Sequence, residues 1–251
     1  MRRRFFVERF TDGTARLGGA GAHHLGRVLR AEPGQLYELS DGQTVHLAEV
    51  QRVERDWVDF KVIAPVVVRA PGVHVALLLA VVKFDRFEWA LEKAVELGAE
   101  FIAPIAAERS EKSLVAAAPK RAERWRKIIL ESAQQARCVR LPVLGPLARP
   151  REAFVTAAKA GLGVLLSERG EARPLRLIFS EAAEKNALKP TGPEAGIEVS
   201  LAVGPEGGWT DAEFASAAAA GFREASLGGN ILRTETAVAA GLSAAHLYFD
   251  D

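Results

Sequence analysis

Cysteine is all but missing from this chain. Cys138 stands alone among 251 residues, so no disulfide can close within it and nothing hints at an oxidising compartment. No apolar run approaches the roughly 20 residues that a bilayer-spanning helix needs. The opening stretch MRRRFFVERF is basic, without the apolar segment and small-residue cleavage site of a secretory leader. A soluble, cytoplasmic protein is the expectation. Five histidines, His23, His24, His46, His74 and His246, fall into none of the His/Cys/acid spacings of a metal site, so no metal is expected. Also missing are a Gly-Lys-Ser/Thr for a triphosphate and a G-x-G-x-x-G for a dinucleotide.

What is present is an ordinary globular balance, 49% hydrophobic and 26% charged. The net charge of +1 conceals a segregation. Residues 119–140 hold seven Lys/Arg (Lys120, Arg121, Arg124, Arg126, Lys127, Arg137, Arg140) against two Glu, a balance of +5. Residues 194–251 hold two Arg against nine acids, a balance of −7. Such separation suits a polyanion on one surface, although a solvated helix face explains a single basic helix as well.

The first seventy or so residues read as a small β domain. QLYELS, TVHLAEVQRV and WVDFKVI are β-rich runs, and Asp41-Gly42 between the first two is a hairpin signal. GAHHLGRVLR reads as one short helix, and PVVVRAPG (65–72) as a linker broken by Pro71-Gly72. Beyond it VHVALLLAVV has the continuous apolar character of a strand covered on both faces. Asp85 and Glu88 are spaced as a capping box for a helix ending at Gly98. EFIAPIAA, GVLLSE, IEVSLAV and FREASL read as further strands. Helices are expected from about Lys120 to Arg137, from Thr210-x-x-Glu213 to Gly221, and from about Thr234 to Leu247. KNALKPTGPEAG (185–196) reads as a surface loop. Alternating strands and helices indicate an α/β domain with a mainly parallel sheet, so the boundaries expected are 1–71 and 72–251.

Ligands of an open α/β sheet sit beyond the carboxyl ends of its strands. Three segments put unusual residues there: LLSERG (165–170), VGPEGGWT (203–210) and LGGNILRTETA (227–237). Glycines admit a ligand close to the backbone, and exposed peptide groups can read a flat heterocycle by its edge while Leu227, Ile231 and Leu232 pack on its faces.

The set HHLGRVLR, EKAVELG, ERS, RWRKIILESAQQARCVRLP, VGPEGGWTDAEF and LGGNILRTETA closely resembles the ribosomal RNA small-subunit methyltransferase E family, of the SPOUT class. The resemblance covers nearly the whole chain, and the last two motifs are the most specific. It implies a PUA-like β-barrel domain followed by an α/β domain with a deep trefoil knot at about 199–247. It also implies a homodimer, S-adenosyl-L-methionine as cofactor, and N3-methyluridine in 16S rRNA of the small ribosomal subunit as product. A cofactor without phosphate would account for the missing nucleotide motifs.

By position, the resemblance assigns the cofactor to Ser167 and Glu168, to Gly204, Glu206 and Gly207, and to Leu227, Gly228, Asn230, Ile231 and Leu232. Gly229-Asn230 stands where many relatives carry a larger or basic residue. N3 of uridine must lose a proton before it attacks a methyl group, so a cation near O2 or O4 and a base would help. Arg233 is the candidate cation and Glu206 the candidate base, with an ion pair to Arg233 or a structural hydrogen bond as equal alternatives for Glu206. Glu235 suits the first turn of a helix without further role. Phosphate contacts fall to Arg2, Arg3, Arg4, Arg27, Arg30, Lys83, Arg86, Arg109, Arg126 and Lys127, and Gln134, Gln135 and Arg137 fall near the substrate, with an exposed helix face as an equal alternative. Trp57, Trp89 and Trp125 are expected in the core or half-buried, and Trp209 over the cofactor. Two rivals stand beside this reading: a SPOUT enzyme with another target (ribose 2′-O or guanosine N1), and a PUA-like assembly factor without catalysis.

Overall fold

Asp41 and Gly42 turn the chain as their pairing predicts. The Asp41 carboxylate accepts the N–H groups of Gln43 and Thr44 (2.9 and 2.8 Å), and Gly42 takes φ +87°. The turn joins β4 (Leu36–Ser40) to β5 (Val45–Val53), which pairs with β6 (Trp57–Pro65). In the computed structural model, which describes residues 3–159, 161–186 and 196–250, these strands belong to a first unit of residues 1–69 and 130–141.

That unit also contains β1 (Arg4–Phe6), β2 (Phe10–Thr11) and β3 (Thr14–Gly18), in the sheet order β1-β4-β5-β6-β3-β2. All its pairings are antiparallel except β1 with β4. Two register shifts between β5 and β6 curl the sheet. Alternation along β3 and β6 sends Ala15, Leu17, Val58 and Phe60 inward to meet Phe5, Leu25 and Leu39. The segment GAHHLGRV is α1 (Gly19–His23) followed by a wider π-helical turn over His24–Val28, and Leu25 from that turn is fully buried.

The second unit, residues 70–129 and 142–251, is built on a seven-stranded sheet, and every pairing in it is parallel. Its strands are β7 (Val73–Ala80), β8 (Ala99–Ile105), β9 (Val143–Leu144), β10 (Leu162–Leu166), β11 (Arg173–Pro174), β12 (Ile197–Val203) and β13 (Arg223–Ser226). They lie in the order β11-β13-β10-β12-β7-β8-β9. The apolar run predicted as a doubly covered strand, β7, lies inside the sheet between β12 and β8, with helices flanking both faces. One face carries α4 (Pro150–Ala157) and α6 (Asp211–Ala219), packed through Phe154, Trp209 and Phe222. The other carries α2 (Phe84–Glu96), α5 (Leu175–Asn186) and α7 (Thr234–Phe249).

Several local expectations change. Lys83, not Asp85, is the N-cap of α2, and it provides no side-chain cap. Glu88 does not close a capping box there. Its carboxylate is taken by Arg124 at 2.8 Å and Arg121 at 3.5 Å, two charged donors one turn apart that outcompete a neutral backbone N–H. Those arginines lie on α3 (Lys112–Ala136), which begins earlier than the sequence suggests and accommodates Pro119 within its length. Trp125 is buried in the core against Phe87, whereas Trp57 and Trp89 are 38% and 44% exposed, half-buried at the surface. Helices α4 and α5 and the short strands β1, β2, β3, β9 and β11 were not foreseen. The loop expected at 185–196 lies almost wholly outside the described residues.

Candidate functional site

Strands β13, β10 and β12 are neighbours and parallel, so their carboxyl ends share one sheet edge. The three segments that leave this edge enclose a cavity of about 210 Å³. All ten residues assigned to the cofactor line it: Ser167 and Glu168 after β10, Gly204, Glu206 and Gly207 after β12, and Leu227, Gly228, Asn230, Ile231 and Leu232 after β13.

Each loop is held in place by its own bonds. After β10, the Ser167 N–H donates to the Ala225 carbonyl (2.9 Å), and the Ser167 hydroxyl accepts the Arg169 N–H (3.0 Å). After β12, the Gly208 N–H donates to the Pro205 carbonyl (2.8 Å), closing a turn. The predicted Thr210–Glu213 capping box follows and fixes the start of α6. Glu213 is 7% exposed and also accepts the Glu108 N–H (2.9 Å), so the loop after β8 is tied to the same point. After β13, Gly228 takes φ +140°, and α7 starts at Thr234, whose buried hydroxyl donates to the Gly204 carbonyl at 3.0 Å.

The glycines divide into two kinds. A Cβ at Gly204 would stand 3.0 Å from Trp209 Nε1, one at Gly207 3.3 Å from Arg109 Cβ, and one at Gly208 2.4 Å from Glu168 Oε1. These three are glycines because protein side chains crowd them. At Gly228 and Gly229 the Cβ direction is open, so that stretch of backbone is bare toward its surroundings.

The cavity wall carries Glu168 and Glu206 and, among the described residues, no Lys or Arg. It offers peptide groups, the apolar Leu227, Ile231 and Leu232, and negative charge. That donor set does not suit a polyphosphate. It suits a flat, apolar-faced ligand that carries positive charge. Trp209 also lines the cavity, 3% exposed and packed edge-on to Phe154, with a buried indole N–H that meets no acceptor among the described residues. Thr234, another wall residue, was read from sequence merely as the opening of a helix.

The charged candidates are distributed differently. Glu206 pairs with Arg86 at 3.2 Å, not with Arg233. Arg233 is exposed at the N-cap of α7, next to the cavity wall but outside its lining. Arg109 donates to the Gly207 carbonyl at 2.7 Å. Lys83 and Arg126 are exposed, as is Lys127.

In the first unit, Arg27, Arg30 and Gln135 are exposed, and Arg3 lies 3.1 Å from the His24 ring. Arg4 is different: it is 6% exposed, pairs with Glu38 at 2.9 Å and donates to the Arg137 carbonyl. Arg137 takes φ +58° and lies 3.7 Å from Glu38. Gln134 is buried rather than on an exposed face. Arg2 lies outside the described residues. Burial pushes the Cys138 thiol up, against an opposing pull from Arg4. Among the described residues no three His, Cys, Asp or Glu side chains gather as a metal site would require, and no helix is long and apolar enough to cross a membrane.

Residues 69–246 match the RNA methyltransferase domain family. The chain is 34% identical over 167 residues to the ribosomal RNA small subunit methyltransferase E of Mesomycoplasma hyopneumoniae, an alignment spanning 66% of each chain, just under two thirds. It is 32% identical over 250 residues to the protein of that name from Mycobacterium bovis, across 96% of this chain and 89% of the relative. Among solved structures, a ribosomal RNA small subunit methyltransferase E from Neisseria gonorrhoeae, crystallised bound to S-adenosyl methionine, matches with a TM-score of 0.80. That pair is 28% identical, and the match covers 97% of this chain and 96% of the other.

Proposed function

The chain belongs to the RNA methyltransferase family of the ribosomal RNA small subunit methyltransferases E, and on that premise we propose that it methylates N3 of one uridine in 16S rRNA, with S-adenosylmethionine as donor. The observation that carries this reading is the cavity wall, whose lining holds two carboxylates, Glu168 and the Arg86-paired Glu206, no Lys or Arg among the described residues, and bare backbone at Gly228-Gly229. S-adenosylmethionine has a flat adenine, a sulfonium and an ammonium, and no phosphate. Leu227, Ile231 and Leu232 would pack on the adenine, the peptide groups around Asn230 would meet its edge, and Glu168 and Glu206 would face the positive end. When bound, the cofactor supplies an electrophilic methyl group on its sulfonium.

The chain's own residues supply position and charge. Arg233, exposed beside the cavity wall, holds O2 or O4 of the uridine as N3 loses its proton. Glu206, oriented by Arg86, takes that proton. The Watson–Crick edge must be exposed for this reaction, so the base is taken unpaired or flipped. Arg3, Arg27 and Arg30 on a PUA-like first unit, with Lys83, Arg126, Lys127 and Gln135, hold the RNA. Arg4 drops out of this set, because its guanidinium is buried on Glu38. The working unit is a cytoplasmic homodimer, and residues 199–247 form a trefoil knot.

The test is methyl transfer from labelled S-adenosylmethionine to small ribosomal subunits that lack N3-methyluridine, with the product nucleoside identified by mass spectrometry. One N3-methyluridine, lost with Arg233→Ala while cofactor affinity is kept, supports the reading. A methyl group on a ribose or a guanine overturns the substrate assignment. Absence of both cofactor binding and transfer favours an RNA-binding assembly factor.

A further inference from the structure

Arg109 was expected to face RNA, yet its surroundings give it another task. It follows β8 in a turn closed by the Ser110 N–H on the Ala107 carbonyl (3.1 Å). The preceding residue is anchored, because the Glu108 N–H donates to Glu213, the buried carboxylate that also caps α6 at Thr210. From that fixed base the Arg109 guanidinium donates to the Gly207 carbonyl at 2.7 Å. The arginine stem covers the α-carbon of Gly207: a Cβ there would stand 3.3 Å from Arg109 Cβ and 3.4 Å from Cδ. Gly207 thus makes room for Arg109.

The next peptide explains what such a clamp is for. Gly207 and Gly208 are adjacent, and a pair of glycines has more backbone freedom to lose than any other pair. The loop nevertheless has to hold Glu206 on one side and seat Gly208, at φ +68°, under the Glu168 carboxylate on the other. Both acids line the cavity. A charge-assisted bond to the Gly207 carbonyl fixes the peptide between them, so the wall is already shaped before a ligand arrives. We propose that Arg109 is a positioning residue of the cofactor site, acting through the Gly207 peptide. The inference rests on the reading of that cavity as the S-adenosylmethionine site.

The test compares the full-length wild type with Arg109→Ala and Arg109→Lys by calorimetric titration with S-adenosylmethionine. The KM for small ribosomal subunits is then measured at saturating cofactor. Arg109→Ala should raise the cofactor Kd about five- to tenfold, the worth of one charged hydrogen bond discounted for its exposure. Arg109→Lys should recover part of the loss, and the KM for the subunit should stay within about twofold, since little of the bond's energy bears on RNA.

Gly207→Ala adds a check should Arg109→Ala fold poorly. Its methyl group displaces the arginine stem, so alone it should weaken cofactor binding. Combined with Arg109→Lys or Arg109→Ala, it should cost less than the sum of the two. A normal cofactor Kd in Arg109→Ala with a raised subunit KM would overturn the proposal and return Arg109 to the RNA. Full additivity with Gly207→Ala would overturn it as well. Wild-type protein that binds no S-adenosylmethionine would sink the functional reading itself, and this inference with it.

Discussion

Thr234 Oγ1 donates to the Gly204 carbonyl across 3.0 Å, joining the first turn of α7 to the first residue beyond β12. The two residues are thirty positions apart, and both line the cavity. Thr234→Val keeps the shape and removes the donor, leaving a part-buried carbonyl short of its partner. Unfolding in urea should show a loss of about 1–2 kcal/mol. Cofactor affinity should fall in parallel, because two walls of one cavity are released together.

Gly208 should resist replacement, as should Gly228 at φ +140°. Alanine in place of Gly208 must adopt φ +68° and push a methyl group to within 2.4 Å of Glu168 Oε1. A cost of about 2 kcal/mol or more in stability is expected, with cofactor binding abolished. Gly229→Ala meets nothing within 4 Å and should leave the melting temperature unchanged within error. Thermal melts of the two variants side by side check the contrast.

The acid limb of stability should carry a mark from Glu181. Hydrogen bonds from Arg173 and Arg223 hold its carboxyl down at about 2, against an ordinary value of 4.5. A carboxylate lowered on folding stabilises the native state above its unfolded value, and that contribution fades as pH falls toward the folded one. The stability difference between wild type and Glu181→Gln should therefore be flat above about pH 5 and shrink between about 4.5 and 2. Denaturant titrations across that range read it directly, and a difference that grows on acidification would contradict the assignment.

Cys138 should be a poor nucleophile in the folded protein. Its thiol is pushed up by burial, with Arg4 opposing, so less thiolate is present at pH 8 than in the unfolded chain. Iodoacetamide should modify the native protein more slowly than the urea-unfolded one, and Arg4→Met should slow it further.

Much of this site was readable because local chemistry and tertiary context agree there. The Thr210–Glu213 capping box, the Asp41-Gly42 turn and the glycine-bearing strand ends are short-range signals that the packed structure leaves alone. The failures share a cause: each needed knowledge of a partner distant in sequence. Asp85 and Glu88 have capping-box spacing, yet Arg121 and Arg124, more than thirty residues on, claim Glu88. Arg4 sits in a basic tripeptide that looks like an exposed arm, and Glu38 draws it inside. Glu206 pairs with Arg86, 120 residues before it, rather than with Arg233 nearby. Helix α4 escaped because eight residues, little more than two turns, are too short to show a helical period.

The split among the glycines has an outcome for variation. A loop whose bare α-carbons are covered by neighbouring side chains is interlocked, and a side chain added at Gly204, Gly207 or Gly208 requires Trp209, Arg109 or Glu168 to shift. Gly229 has no such interlock and can acquire a side chain alone, whereas its neighbour Gly228, at φ +140°, is held to glycine by its backbone. In a saturation library selected for folding alone, Gly204, Gly207 and Gly208 should tolerate fewer replacements than Gly229. New ligand preferences would therefore arise most easily from the loop after β13, with the loop after β12 serving as the fixed jaw.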